Sequence, residues 1–403
     1  MLPLWAGGKR FLWLWLPGLA VFLIGSNRAW LTGQADPWGW AMVACIGCIL
    51  SGFLSGRAGA HILLWAGMGW IGTIILFCGL AAAQMPFFPA TAGLMLLCAL
   101  AGGGAALLRG DTRSRFCGAV ALLLAALLLW RGPYPPIEPI PDRQRLAVIT
   151  ALPLFWSENG SGQPADAPIV TLLRTRFDIV PTDSVATLTA SHARRLLLAQ
   201  PRGMTGEDLI AIDRWVRDGG NALVLADPLL RWPSELPLGD RRRAPLSAVG
   251  LAPLLGRWGF PLQRLEQGEH RDILTDGGLL TWSGAAVFGG SLVQQRRVGK
   301  GSVMWVGDAD LLDDRLWLAD PARPFDPRFW SADTPALIAQ WLGASMPHER
   351  RWMRTERDVV AALRMALLVG TIWAILGAAL LGPHFPVSLP STAHANGGRK
   401  SLK

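Results

Sequence analysis

The residues best suited to chemistry in this chain are aspartates that follow apolar runs. Asp308 and Asp310 come two and four residues after the apolar run Ser302–Val306, with Asp313 and Asp314 close behind. Carboxylates so spaced can bind a divalent cation through their oxygens. Aspartates at these positions also cap turns, and the sequence favours capping, so we predict neither a metal site nor a cofactor.

Gln200 and Asp227 occupy matching positions after two further apolar runs. Gln200 follows Leu196–Ala199, and Asp227 follows Asn221–Ala226. The carboxyl ends of parallel strands meet at one edge of a sheet, where open α/β sheets keep their ligand sites. The candidate ligand-binding or interaction residues are therefore Gln200, Asp227, Asp308 and Asp310.

The sequence lacks the motifs of several enzyme classes. Gly299-Lys300-Gly301 does not have the G-x-x-x-x-G-K-[ST] spacing of a phosphate loop, and it precedes a strand, which predicts a hairpin turn. No G-x-S-x-G nucleophile elbow occurs. We predict no catalytic residues and no enzymatic activity; a hydrolase that uses Asp308 or Asp310 is a third alternative.

Two other polar groups are interpreted as surface features. His192 and His270 have no partner at metal-ligand spacing. Arg241, Arg242 and Arg243 lie in a long irregular segment, residues 229–245, which is typical of a solvated loop. Contact with anionic lipid or with a partner protein is the alternative for these arginines.

The segment from Arg194 to Pro228 predicts the strand–helix–strand unit that positions these residues. Thr205 offers an N-cap oxygen, and Gly219 supplies the left-handed residue that ends a helix. The apolar runs on either side are short and unbroken, as strands buried on both faces require. A parallel strand pair joined by a helix belongs to a doubly wound α/β domain.

We predict that this α/β domain, with a parallel sheet, covers residues 142–347. The predicted strands are Leu146–Thr150, Ile179–Val180, Leu196–Ala199, Asn221–Ala226 and Ser302–Val306. The predicted helices outside the central unit are Pro168–Arg176, Leu246–Trp258 and Thr334–Leu342. The alternating segments Leu279–Phe288 and Ser291–Arg297 predict a hairpin around Gly289-Gly290.

The composition indicates that the rest of the chain is in a membrane. Hydrophobic residues make up 51% of the chain and charged residues only 17%, against about 25% charged in soluble domains. Residues 1–133 predict about five transmembrane helices, and residues 358–382 predict one more. The fifth segment, Phe116–Trp130, has only about fifteen apolar residues, fewer than the roughly 20 that a bilayer needs.

Basic residues predict the orientation of these spans, because cytoplasmic loops are enriched in lysine and arginine. The predicted inner loops contain Lys9, Arg10, Arg57, Arg109, Arg113 and Arg115. Five crossings then place the α/β domain on the periplasmic side of a bacterial inner membrane, with a cytoplasmic tail at residues 383–403. The net charge of +9 is therefore interpreted as basic residues that flank membrane spans. The predicted partner is the lipid bilayer and not nucleic acid.

Three motifs resemble the GldG-like auxiliary proteins of ABC-type transport systems, the gliding-motility-associated family. They are LAVITALPLFW from Leu146, LLLAQPRGMTGEDLIAIDRWVRDGGNALVLADP from Leu196 and GKGSVMWVGDADLL from Gly299. The resemblance covers the soluble domain only. It implies a membrane-anchored domain with a fold like that of class I glutamine amidotransferases, without their catalytic residues, and a separate ABC ATPase and permease as partners.

These observations lead to two functional hypotheses. The first is a non-enzymatic auxiliary component of an ABC-type transport or export system, whose α/β domain is an interaction module. The alternative is an extracytoplasmic membrane protein that binds a small ligand or acts as a sensor. All five cysteines fall in or beside the apolar N-terminal segments, so neither hypothesis includes a cysteine nucleophile in the α/β domain.

Overall fold

The computed structural model describes residues 2–54, 60–158, 164–260, 264–274, 277–287, 291–346 and 350–381. The chain divides into two compact units. One comprises residues 1–29, 35–134 and those from 353 onward, and the other comprises residues 30–34 and 135–352. The predicted tail at 383–403, the predicted turn at Gly289-Gly290 and the predicted inner-loop residue Arg57 lie outside the described residues.

The first unit consists of apolar helices. They are α1 (Leu2–Gly25), α2 (Asn27–Thr32), α3 (Ala41–Leu54), α4 (Ala60–Ala82), α5 (Phe88–Leu107), α6 (Thr112–Arg131) and a C-terminal helix (Glu356–Leu380). Six described segments are long and apolar enough to cross a membrane: Gly8–Thr32, Pro37–Leu54, His61–Ala82, Phe88–Leu107, Thr112–Arg131 and Glu356–Leu380. This finding supports the prediction of a membrane protein with several apolar helices before the sheet domain.

The fifth apolar helix is longer than the sequence pattern predicts. It begins at Thr112 rather than Phe116, because the Asp111 side chain caps it by accepting a hydrogen bond from the Ser114 amide. Its 20 residues extend about 30 Å at 1.5 Å per residue, which matches the hydrocarbon thickness of a bilayer. The apolar stretch between Arg115 and Arg131 keeps the length that the sequence predicts, and the added turn of helix carries Arg113 and Arg115.

Glycines allow close contacts between helices of this unit. A Cβ atom added at Gly52 of α3 would lie 2.5 Å from the Gly102 carbonyl oxygen of α5, and one added at Gly118 of α6 would lie 2.7 Å from the Gly104 oxygen of α5. Small residues at such contacts let helix backbones approach, which is how membrane helices gain packing energy.

The C-terminal helix packs in the same unit. Its Trp373 stacks on Trp65 of α4 with ring centroids 4.2 Å apart. Each indole N–H donates to the backbone carbonyl oxygen of the other tryptophan, over 3.1 and 2.9 Å. The final apolar helix therefore belongs to the bundle formed by the N-terminal helices.

The second unit is built on one six-stranded sheet. The described strands of the whole unit, which also has two two-stranded sheets, are β1 (Gln144–Thr150), β2 (Phe177–Pro181), β3 (Arg195–Ala199), β4 (Asn221–Leu225), β5 (Arg264–Leu265), β6 (Glu269–Ile273), β7 (Leu279–Ser283), β8 (Ala286–Val287), β9 (Val293–Val298) and β10 (Gly301–Val306). The main sheet has the order β2-β1-β3-β4-β10-β9, in which only β9 is antiparallel. The predicted α/β class with a parallel sheet is confirmed.

Two hydrophobic cores cover the two faces of this sheet. Side chains alternate between them, as the pleat of a strand requires. One core contains Leu146, Val148, Leu197 and Ala199. The other contains Ala147, Ile149, Leu196 and Leu198. Full burial of each leucine contributes about 1.5–3 kcal/mol, which is why these runs are continuously apolar.

Helices of the second unit complete the layers. They are α7 (Pro168–Leu173), α8 (Val185–Ala190), α9 (Gly206–Arg217), α10 (Ala252–Arg257) and α11 (Thr334–Trp341). Thr205 caps α9 as predicted, in a reciprocal capping box with Asp208, and Gly219 after the helix has φ of +118°. Helix α8 was not predicted, because its single turn and a half gives too short an apolar pattern.

The predicted hairpin between Leu279–Phe288 and Ser291–Arg297 is wrong. Strand β7 pairs with β6, and β9 pairs with β10 in the main sheet. The turn of that second hairpin is Gly299-Lys300, where Gly299 has φ of +60°, so the predicted turn at Gly299 is confirmed. All five residues of β7 are buried, and the amide of its last residue, Ser283, donates to Asp308 at the carboxyl edge of the main sheet, which sequence alternation cannot specify.

Candidate functional site

The carboxyl edge of the sheet brings the four predicted site residues together. Gln200 follows β3, Asp227 lies two residues after β4, and Asp308 lies two residues after β10. These three strands are neighbours in the sheet. The exposed fraction of Gln200, Asp227 and Asp308 is 0%, and that of Asp310 is 3%. The set is therefore an interior polar cluster beneath the loops of this edge.

Gln200 connects two loops of the carboxyl edge. Its side-chain oxygen accepts from the Asp227 amide over 3.0 Å, and its side-chain nitrogen donates to the carbonyl oxygens of Asp227 (3.1 Å) and Pro245 (2.9 Å). Its backbone has φ of +42°, a left-handed conformation that is uncommon outside glycine. The hydrogen bonds compensate for this strained turn and direct the chain away from β3.

The three aspartates accept hydrogen bonds from backbone amides. Asp227 accepts from Leu229 over 2.7 Å and from Ala309 over 3.3 Å. Asp308 accepts from Ser283 over 2.6 Å and from the Asp310 amide over 2.7 Å.

Asp310 completes the group with one satisfied oxygen. Its Oδ2 accepts from the Arg231 amide over 2.8 Å, and its Oδ1 has no hydrogen-bond partner among the described residues. One carboxylate oxygen from each of Asp227, Asp308 and Asp310 lies within 4.8 Å of the others. These carboxylates join the loops after β4 and β10 to the end of β7.

Burial and mutual repulsion favour protons on this cluster. Burial, together with repulsion from the nearby Asp310 carboxylate, raises the pKa of Asp227 to about 7. Burial likewise raises the pKa of Asp310 to about 6. Burial, and then Asp227 and Asp310, raise the pKa of Asp308 well above its usual range. A group of this kind either shares protons between its carboxyls or exchanges them for a cation.

Asp313 and Asp314 do not belong to this three-carboxylate group. Asp313 accepts from the Arg315 amide over 3.1 Å, where it caps a short 3-10 turn, and its carboxylate also pairs with the Arg315 guanidinium. This is the turn-capping role that the sequence favours for the aspartates after β10.

Gly307 is required for the close approach of β8 to this edge. Its carbonyl oxygen accepts from the Ala286 amide over 3.0 Å. A Cβ atom at residue 307 would lie 2.0 Å from the Ala286 carbonyl oxygen. Glycine at this position therefore fixes the distance between the loop after β10 and the small β5–β8 sheet.

A second feature of the same edge is an open pocket of about 420 Å³ that is lined by arginines. We call it the arginine pocket; its lining residues are Arg202, Gly203, Asp240, Arg241, Arg243 and Pro245. The sequence singled out Arg241 to Arg243 but missed Arg202. The signal for Arg202 was its position directly after the Gln200-Pro201 end of β3, on the same edge as the long loop.

Comparisons with known proteins add little to this geometry. No known protein family matches the chain, and no curated protein matches it. Among solved structures, Exo-beta-1,4-mannosidase Op5Man5 from Opitutaceae bacterium strain TAV5 is similar, at 14% identity over 59% of this chain and 41% of the mannosidase, with a TM-score of 0.29. The chain thus spans less than half of that protein's length, and a TM-score this low carries no argument about fold or function.

Proposed function

We propose that the chain is a non-enzymatic, membrane-anchored auxiliary component of an ABC-type transport or export system. In this proposal the sheet domain is an interaction module, and a separate ATPase and permease are its partners. The resemblance of the three sequence motifs to GldG-like proteins supports the proposal, as does the apolar helical unit. A glutamine amidotransferase-like fold for the sheet domain is part of the same proposal.

The observation that carries this proposal is the burial of the strand-end side chains Gln200, Asp227 and Asp308. Doubly wound domains that act on small molecules keep an open crevice at the strand ends. Here Gln200, Asp227 and Asp308 have no exposed surface and bind backbone amides of the protein's own loops. A domain that uses its strand-end side chains to fasten loops is well suited to present those loops to a partner.

Exposed apolar side chains on one of these loops offer a surface to test. Leu238 and Val249 are 79% and 72% exposed, in the segment between β4 and α10. Ile210 on α9 is 62% exposed and gives a matched control. Apolar side chains displayed in this way mark candidate contact sites when they fall on one surface.

Copurification tests the proposal. The tagged full-length chain is extracted from its source cells in mild detergent, and the recovered proteins are quantified by mass spectrometry. We expect an ABC ATPase and a polytopic permease in amounts comparable to the tagged chain. Leu238→Asp combined with Val249→Asp is expected to lose the permease, whereas Ile210→Asp retains it. Recovery of the chain alone would overturn the proposal, and equal recovery with all variants would exclude the sheet domain as the contact.

The proposed orientation places the sheet domain on the periplasmic side of the inner membrane. The full 20-residue length of α6 supports a fifth crossing. Glu207 is exposed on α9, so Glu207→Cys in a chain whose five native cysteines are replaced gives a single label site. We expect a membrane-impermeant maleimide to label intact spheroplasts. Labelling only after membrane rupture would place the domain in the cytoplasm.

The second candidate function is an extracytoplasmic small-ligand-binding or sensory protein. The arginine pocket favours it, because this pocket is open and lies at the carboxyl edge of the sheet. A thermal-shift screen of the full-length protein in detergent distinguishes this function from the first, since a ligand that binds only the folded state stabilises it by mass action.

A further inference from the structure

We propose that the arginine pocket binds a small anion that carries a phosphate or carboxylate group. This inference deepens the ligand-binding alternative by naming its ligand class and does not depend on the proposed ABC partners. It starts from three guanidinium groups, those of Arg202, Arg241 and Arg243, around one open pocket of about 420 Å³. Such a volume accommodates a phosphate or a small polycarboxylate with its hydration water.

The charges around the pocket are not balanced. The lining carboxylate, Asp240, is engaged by Arg242, whose backbone amide and guanidinium nitrogens donate three hydrogen bonds to it over 2.8 to 3.2 Å. The exposed Arg241 makes no hydrogen bond or ion pair within the described part of the chain. Positive charge therefore exceeds negative charge at the pocket, and arginine stays protonated at any physiological pH.

Two of the arginines are already held in place. The Arg202 Nη2 donates to the Arg242 carbonyl oxygen over 2.9 Å, and the Arg243 Nη1 donates to the Leu236 carbonyl oxygen over 2.9 Å. Each guanidinium has five N–H donors, so these bonds fix the side chains and leave other donors for a ligand. Pre-ordered arginines recognise planar oxyanions with paired hydrogen bonds and lose less entropy on binding.

The buried Gln200 supports the base of the pocket. Its side-chain amide donates to the carbonyl oxygen of Pro245, a lining residue, while its left-handed backbone turns the chain toward Arg202. Backbone strain of this kind persists where the surrounding structure enforces it, and it concentrates at functional sites. Gln200 is thus a positioning residue of the pocket rather than a direct ligand.

The pocket lies at the carboxyl edge of the sheet, where residues from the segments after β3 and β4 line it, one strand away from the switch point between β1 and β3. Strand β1 lies between β2 and β3, so the chain passes to one side of β1 and then crosses to the other. Ligands of open α/β sheets bind outside the carboxyl ends at this switch point. Arg202 follows the carboxyl end of β3, one of the two strands that form the switch point.

Binding is measured on the purified full-length protein in an uncharged detergent at low ionic strength. The probes are inorganic phosphate and citrate, followed by equilibrium dialysis and thermal shift. Short-chain phosphatidylglycerol is compared with short-chain phosphatidylcholine in parallel. The test variant is Arg241→Gln combined with Arg243→Gln. Its matched control, Arg194→Gln with Arg214→Gln, removes the same charge from exposed residues elsewhere in the domain.

We expect saturable binding of at least one anionic probe, with an affinity at least ten-fold lower in the test variant and unchanged in the control. Binding of phosphate or citrate assigns the site to a soluble anion. Binding of phosphatidylglycerol alone assigns it to a lipid headgroup of the same chemistry. No saturable binding of any probe, or an equal loss in both double variants, would overturn the proposal. Binding or absence of binding at the arginine pocket does not change the expected recovery of an ATPase and permease. The two proposals can therefore fail separately.

Discussion

Two groups of buried aspartates in the sheet domain differ in how their charge is balanced. At the carboxyl edge, Asp227, Asp308 and Asp310 accept from backbone amides and lie against each other. Elsewhere, Asp213 and Asp333 each bind arginine and tryptophan side chains. Both groups accept hydrogen bonds, but among the described residues only the second has cations in direct contact.

The ionisation of the two groups follows from this difference. Burial alone raises the pKa of Asp213, but hydrogen bonds from Arg217, Arg257 and Trp258 outweigh it and leave this pKa lowered. At the carboxyl edge burial prevails, and the pKa of Asp227 is raised to about 7. The arginine-bound arrangement of Asp213 is an ionic connection between secondary-structure elements. The carboxyl-edge arrangement is a proton-holding cluster that fastens loops.

The largest effect is expected when the most buried ion pair is broken. Asp333 is fully buried, and Arg350 donates to it over 2.8 Å from a side chain that is 8% exposed. Arg350→Met leaves that carboxylate buried without its cation, which costs about 3–5 kcal/mol. Denaturant unfolding of the full-length protein measures the loss. Arg328→Met breaks a more exposed pair with Asp326 and should cost under about 1 kcal/mol; equal losses would show that Arg350 acts through packing alone.

A smaller loss is expected when an acceptor is removed from the carboxyl edge. Asp308→Ala leaves the buried amides of Ser283 and Asp310 without their acceptor, at a cost of about 2–3 kcal/mol. Asp308→Asn keeps an acceptor oxygen for one of the two amides but turns its NH2 group toward the other, so it should cost about 1–2 kcal/mol, less than the Ala variant. The same unfolding assay compares the two. An Asn variant as unstable as the Ala variant would show that both oxygens of Asp308 are needed as acceptors.

The next effect in size is the pH dependence of stability, which should distinguish the carboxyl-edge aspartates from the arginine-bound aspartates. The pKa values of Asp227 and Asp310 are about 7 and about 6 in the folded protein, above the ordinary 3.8. The contribution of their protonated forms to the free energy of unfolding is therefore fully present below about pH 4. It is lost as the pH rises through 6 to 7, by at most about 1.4 kcal/mol per pH unit for each group. Asp227→Asn should flatten the melting-temperature profile over this range. An exposed control, Asp183→Asn, should keep it, and parallel profiles for wild type and Asp227→Asn would refute the assignment.

The smallest effect is expected at the more exposed ionic connection. Asp213 joins α9 to α10, but the side chains of Arg217 and Arg257 are 44% and 64% exposed. Asp213→Asn weakens both charge-assisted bonds and should cost about 1 kcal/mol, because exposed partners are screened by water. Hydrogen exchange of α9 and α10 amides reports the change locally. Asp218→Asn at the exposed end of α9 serves as the control and should leave exchange unaltered.

Much of the sheet domain could be predicted because its signals are local. The apolar runs of β3 and β4, the Thr205 cap and the left-handed Gly219 each act within a few residues, so their meaning does not depend on the rest of the fold. The same holds for the turn at Gly299. Three of the four candidate site residues, Gln200, Asp227 and Asp308, could be placed at one edge, since parallel strands share a direction.

The sequence by itself determined where the strands and apolar helices lie and which residues follow each strand. Only the tertiary structure decided that β7 pairs with β6, that the aspartates are buried, and that Arg202 meets Arg241 and Arg243 at one pocket. The reason is that strand pairing, burial and charge clustering depend on which distant segments cover one another. That choice is made by the packing of whole faces and loops, which no short stretch of sequence contains.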